Sequence, residues 1–178
     1  MLPRCSRTVL MALLGALVAL AVVAVLPFQS PPAAAGSAPV STAGAEELLL
    51  APALEQRVIR HVNRHRAEHG CPPVRLNRKL RRAARTHSVA MAAARTMAHY
   101  LPGEPTLGQR AAAAGYDGWL RLAENVATGF ATPGAVLKAW MESPTHRANI
   151  LDCGLREVGV GAVQEGPRLW WTQDFGVR

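Results

Sequence analysis

Ser143 and His146 stand three residues apart, a hydroxyl and an imidazole within one helical turn, the pairing that activates serine for acyl transfer. They lie in the run Ala139-Trp140-Met141-Glu142-Ser143-Pro144-Thr145-His146-Arg147-Ala148-Asn149-Ile150-Leu151. Pro144 changes the reading. Serine followed by proline is a helix start, with the hydroxyl capping an orphan N–H and proline at the first helical position. No G-x-S-x-G elbow accompanies the pair, so capping is the expected role of Ser143. Ser88, beside His87, falls inside an expected helix and is a weaker nucleophile still.

His61, His65 and His69 recur at i, i+4 and i+8, a spacing with which a helix can present imidazoles to a metal. On the helical wheel His65 and His69 fall beside Leu54, Val58 and Val62, which places them at the core margin in place of aromatic residues. His87 lies on an apolar helix face and reads as a core histidine with satisfied nitrogens. Trp140, Trp170, Trp171 and Phe175 read as core, with one tryptophan available to line a cleft. HExxH, P-loop and dinucleotide fingerprints are absent from the sequence.

These residues need a scaffold, and the first 50 or so residues do not supply it. Arg4 and Arg7 precede an eighteen-residue apolar run from Val9 to Leu26, followed by Pro27 and small residues at Ala33-Ala34-Ala35. Residues 1–35 read as a secretory signal peptide; the alternative is an anchor, since residues 9–26 are just long enough to cross a bilayer. Residues 36–50 read as a disordered Pro/Ala/Ser-rich linker, and residues 51–178 as one domain with one core. Export gives the cysteines a meaning. Without Cys5 two remain, Cys71 and Cys153, which in an oxidising compartment pair with each other most simply. Two buried thiols are the alternative, and no C-x-x-C spacing favours a metal.

Removing the two leader arginines lowers the formal charge from +8 to +6. The excess is concentrated: Arg57 to Arg95 holds eleven Lys or Arg against the single acid Glu68. The basic helices 57–95 could meet an anionic envelope component or remain a solvated face; export makes nucleic acid a poor partner.

Within the domain, Leu54, Val58 and Val62 mark a first helix closed by Gly70 and Pro72-Pro73. Asn77 is placed to cap a second, with Leu80, Ala83, Ala84, His87, Met91 and Ala94 on one face, fading near His99. Leu107 to Ala114 makes a third. Thr132-Pro133 and Ser143-Pro144 start a fourth and a fifth. Val158 to Val163 and Leu169 to Phe175, joined at Glu165-Gly166-Pro167, read as a hairpin, with a further short strand around Leu122 to Val126. Helices followed by a hairpin predict an α+β domain whose antiparallel sheet is covered by helices.

The order of several motifs resembles the CAP superfamily (SCP/TAPS), in its secreted bacterial branch. The resemblance rests on Val62 to Cys71, His87 to Ala92, Ala113-Ala114-Gly115-Tyr116, Ala123-Glu124-Asn125-Val126-Ala127, Trp140 to Leu151, Val158 to Gly161 and Trp171 to Gly176. It implies a three-layer α-β-α sandwich around a central antiparallel sheet. It also implies a cleft tetrad of two histidines and two acids. His99 matches the first histidine, Glu124 the first acid and His146 the second histidine, while Ser143 stands where the second acid would be. Glu142 is one position off and would project about 100° away on a helix. His99, Glu124 and His146 then offer two nitrogens and one carboxylate, a usable set for Zn²⁺ or another divalent metal with an open position. Alternatively the carboxylate orients one imidazole as an outer partner, or the three form a polar cleft without metal.

The expected function is a secreted, monomeric protein that binds an extracellular ligand, a lipid or other small molecule, at the cleft of His99, Glu124, Ser143 and His146. A metal- or histidine-assisted extracellular hydrolase and a cell-envelope interaction module are the alternatives; the lost acid weakens the enzyme reading.

Overall fold

A computed structural model describes residues 47–178. The signal peptide or anchor, Cys5 and most of the linker lie outside the described residues. The fold is the α+β sandwich expected, with five helices and an antiparallel sheet. The chain runs β1 (Leu48–Leu50), α1 (Pro52–Glu68), β2 (Arg75–Leu76), α2 (Arg78–Ala94), α3 (Leu107–Ala113), β3 (Arg121–Thr128), α4 (Pro133–Glu142), α5 (Pro144–Leu151), β4 (Glu157–Glu165) and β5 (Arg168–Val177). The sheet order is β1-β4-β5-β3, all antiparallel, and short β2 pairs in parallel with β4. β3 is therefore an edge strand.

Alternation of side chains along the strands assigns the two faces. Val158, Val160 and Ala162 of β4 and Trp171 and Phe175 of β5 join Val58, Ile59 and Val62 of α1, Val136, Leu137 and Trp140 of α4 and Ile150 of α5 in the main core. On the opposite face, Val163, Trp170 and Val126 pack with Met91 and Ala92 of α2, and Leu80, Ala111 and Tyr116 form a smaller cluster. The expected aromatic core is borne out: Trp140, Trp170, Trp171 and Phe175 are all buried.

The second layer has no side-chain cushion at β4. A Cβ added to Gly159 would lie 2.1 Å from the backbone nitrogen of Arg81, and one on Gly161 would lie 2.5 Å from the carbonyl carbon of Ala84. The backbone of α2 therefore rests directly on the strand.

Local signals explain most helix starts. Asn77 accepts from the N–H groups of Lys79 and Leu80, and Thr132 from Ala135, as expected of caps. Thr106 and Gln109 close a capping box on α3. Three expectations are corrected. α2 ends at Ala94 instead of fading near His99, because Arg95 takes a left-handed conformation (φ 49°) and Thr96 N–H turns back to Met91 O. The expected linker gives way at Leu48, where three leucines pair with β4. Ser143 is the first-residue cap of α5 by position, yet its hydroxyl caps no backbone N–H; it meets Thr145 Oγ1 at 3.3 Å. Ser143 also terminates α4, its own N–H bonding Ala139 O, so it serves both helices through its backbone.

Cys71 and Cys153 form the expected disulfide, with Cα atoms 4.9 Å apart and a sequence separation of 82 residues. It ties the end of α1 to the loop after α5. Beside it Arg66, fully buried, donates to the carbonyls of Pro72, Ile150, Asp152 and Leu155. Arg66 takes the core margin that the sequence assigned to histidines. His69 is exposed, and half-buried His65 pairs with Glu68 at 3.2 Å.

Candidate functional site: an imidazole pair across the edge strand

Glu124 is the pivot. It sits in β3 directly opposite Asp174 of β5, on the face covered by α2, and both of its carboxylate oxygens are engaged. His99 Nδ1 donates to Oε1 at 2.9 Å, and Arg110 of α3 donates to Oε2. His87 Nε2 lies 3.9 Å from Oε2. The capping box that starts α3 places Arg110 one residue beyond Gln109, and Arg110 also donates to Pro105 O.

His99 is carried by the segment after α2, and α2 itself fixes that segment. His87, wholly buried on α2, approaches Ala98 O with Nε2 (2.9 Å) and Glu104 Oε1 with Nδ1 (2.7 Å). The expectation of a satisfied core histidine holds. One of its bonds anchors the residue next to His99.

His146 comes from the other layer. It lies in the first turn of α5, and α5 is tied to β3 by three bonds. Asn125 Nδ2 donates to His146 O (3.2 Å), and Asn149 Nδ2 donates to Glu124 O and Asn125 Oδ1 (3.1 and 2.9 Å). The rings of His99 and His146 thus face each other across the edge strand, centroids 6.3 Å apart and planes tilted by 42°.

The two imidazoles are driven in opposite directions. The hydrogen bond to Glu124 raises the pKa of His99 above its ordinary value, outweighing burial. Burial, followed by the charge of His99, lowers that of His146. Burial pushes the Glu124 carboxyl upward, but the His99 hydrogen bond and the charges of Arg110 and His87 together hold it below the carboxylate range. Asp174 goes the other way: complete burial and the neighbouring Glu124 charge push it well above its usual value. No N–H or O–H donor among the described residues reaches either of its oxygens, and its polar contact is a hydrogen bond shared with Glu124.

The sequence-expected residues are therefore brought together unequally. His99 and Glu124 are in contact, and His146 faces His99. Ser143 lies one helical turn before His146, its hydroxyl turned to Thr145. Among the described residues no group of three or more His, Cys, Asp or Glu side chains is arranged to hold a metal ion. The donor set gives the reason: Arg110 and His99 occupy the two oxygens of the expected third ligand, leaving two imidazoles. The three-ligand metal site does not fit, and Glu124 acts instead as the orienting partner of His99.

Comparison with known proteins agrees with this fold. The sequence pattern of the cysteine-rich secretory protein family (CAP) matches residues 59–175. The chain belongs to the CAP family. Its CAP domain is 34% identical over 125 residues to the uncharacterized protein YkwD of Bacillus subtilis (strain 168), covering 69% of this chain and 47% of YkwD. It also resembles the crystal structure of an extracellular SCP-domain protein from Bacillus anthracis, with a TM-score of 0.67 and 26% identity, covering 71% of this chain and 41% of the other. An outer surface protein of Borrelia burgdorferi shares the fold at a TM-score of 0.68 and 19% identity, covering 75% of this chain and 98% of that one. The chain spans about half the length of YkwD and less of the Bacillus anthracis protein. Among the described residues no helix is long and apolar enough to cross a membrane.

Three residues of this CAP domain's cleft had no role legible in the sequence. Arg110 stands in an alanine-rich helix like any exposed arginine. Asn125 and Asn149 are ordinary polar residues until the strand edge and α5 meet. Asp174 was within reach, because alternation along β5 puts it on the face of Trp170 and Thr172, opposite Glu124 once the two strands are paired.

Proposed function

We propose that this protein acts outside the cytoplasm and binds a small extracellular ligand, a lipid or other small molecule, through an acidic or carbonyl group seated between His99 and His146. The observation that carries this reading is the opposed state of the two rings. Glu124, itself paired with Arg110, draws His99 toward the cationic donor form, while burial draws His146 toward the neutral form, able to donate or accept. A group lying between two rings 6.3 Å apart meets a charge-assisted donor on one side and an adaptable partner on the other. The likeness to an extracellular SCP-domain protein of Bacillus anthracis supports the location.

The same asymmetry supports a second reading, a histidine-assisted hydrolase in which neutral His146 takes a proton from water and His99 returns one to the leaving group. The seryl hydroxyl at position 143 lies turned toward Thr145, so water is the nucleophile in that scheme.

One experiment separates the readings. The imidazole NMR signals of the purified protein are followed on titration with octanoate and with inorganic phosphate, in parallel with ester and peptide turnover assays. Saturable shifts at His99 and His146, lost in H99A and in H146A without turnover, support ligand binding. Turnover lost in both variants supports the hydrolase. Absence of both shifts and turnover overturns the cleft as the site.

A further inference from the structure

Away from the cleft, on the side of the sheet where β1 and β2 pair with β4, two grooves carry arginines that the cleft does not use. The first, about 690 Å³, is lined by Arg75, Arg156 and Arg178 with Pro72, Pro73 and Glu157. The second, about 500 Å³, is lined by Arg78, Arg81, Arg82 and Arg85, with exposed Leu50 and Val89 between them. Only Leu76 and Asn77 separate Arg75 in the first from Arg78 in the second.

The acids around these grooves are already engaged. Glu157 accepts from Asn77, Tyr116 and Arg178, and Glu55, buried, takes both arms of Arg85 at 2.7 Å. Arg75, Arg78, Arg81 and Arg82 have no acidic partner among the described residues. Their field is uncompensated, and low-dielectric groove walls concentrate it.

Spacing and rigidity give the band its selectivity. Arg78 and Arg82 follow at i and i+4, about one helical turn apart on one face, with Arg81 beside them and Arg85, held by Glu55, closing the groove. Gly159 and Gly161 seat the backbone that carries them directly on β4, so the spacing of their attachment points is set before any partner arrives. The charges form a line of grooves longer than one small anion needs. Every cation in the row that faces the grooves is arginine, whose planar fork matches phosphate oxygens in pairs. Leu50 and Val89 offer apolar contact to the carbon segments between charges.

We propose that this band binds a linear, phosphate-bearing polymer lying along the β2–α2 edge. A bilayer presents a plane and meets a concave groove poorly, whereas a single extended chain can follow it. This inference is independent of the ligand read into the cleft.

The test measures binding of long-chain inorganic polyphosphate to the full chain at several salt concentrations, with poly-glutamate and phosphatidylglycerol vesicles as comparison partners. R78E/R81E/R82E is expected to weaken polyphosphate binding at least tenfold and to lower the slope of log K against log salt by roughly two, about 0.7 for each phosphate no longer neutralised. R57E/R60E/R64E on α1 makes the same change in net charge and is expected to bind within threefold of the unaltered protein. Because Arg81 is half-buried, R78Q/R82Q serves as a second variant confined to exposed positions, expected to lose binding in the same direction. Equal losses in the α1 and α2 variants would reduce the effect to net charge and overturn the proposal. So would equal affinity for poly-glutamate, or vesicle binding that depends on α2 while polyphosphate fails to bind.

Discussion

Glu124 and Asp174 face each other directly across β3 and β5, and their environments drive two like groups in opposite directions, the first toward the ionised form and the second toward the protonated form. Arg110, His99 and His87 surround the first. The second is sealed inside the sheet, with no N–H or O–H donor to either oxygen among the described residues and a hydrogen bond shared with Glu124. Two carboxylates so placed cannot both ionise cheaply.

Asp174→Asn tests that division. An amide has the shape of the protonated acid and needs no proton. Since the folded protein holds the Asp174 pKa above its ordinary value of 3.8, the unfolded chain releases the proton first as pH rises, and wild-type stability falls accordingly. The variant is expected to be more stable than wild type at pH 7, by urea denaturation, and to lose that advantage toward pH 4. Lower stability at pH 7 would mean that Asp174 is ionised in place.

Glu124→Gln removes the partner of both His99 and Arg110. The His99 pKa is expected to fall, read from its imidazole resonances, and His146 to rise slightly as the neighbouring charge weakens. Arg110 keeps Pro105 O and the Glu104 carboxylate at 3.7 Å, so weakening its bond to position 124 is expected to cost about 1–3 kcal/mol, measurable as a shift in the denaturation midpoint. An unchanged His99 titration would remove Glu124 from its assigned role.

The contribution of this pair should have a pH window. His99 is raised, so its share is complete below about 6.5 and declines as pH climbs through the raised folded value. Glu124 is lowered, so its share is present above about 4.5 and declines as pH drops through the lowered folded value. The stability difference between wild type and E124Q is therefore expected to be flat between those limits and to shrink on both sides. His99 is more than half exposed, so solvent screening keeps the alkaline decline shallow.

Reducing Cys71–Cys153, or replacing both by alanine, opens a loop of 82 residues. The chain-entropy model puts the loss at about 4 kcal/mol. Denaturant unfolding with and without reductant measures it, and the same experiment on C71A/C153A should show no further effect of reductant.

What could be read from the sequence was what is decided locally. Asn77 and Thr132 cap helices through bonds that span two or three residues, and the β4–β5 hairpin turns at Gly166 as its residues require. Glu124 and His146 were found through motifs that also mark the fold. Arg66 escaped because its burial depends on four carbonyls, three of them more than eighty residues away. The end of α2 escaped because Arg95 adopts a backbone conformation that its type disfavours, with Glu165 holding its side chain at 2.6 Å. Strands of two and three residues at Arg75 and Leu48 exist only because β4 offers them an edge.

The glycines under α2 mark a stretch of the layered packing that cannot be repacked. On the α1, α4 and α5 face, interlocking side chains set the spacing between layers, so a methyl group removed from one can be offset by a larger neighbour on another. On the α2 face main chain touches main chain at Gly159 and Gly161, and no compensating substitution exists where the layers meet without side chains. Descendants of this sequence should accumulate exchanges freely in the first core, while the helix that anchors His99 stays locked to its strand.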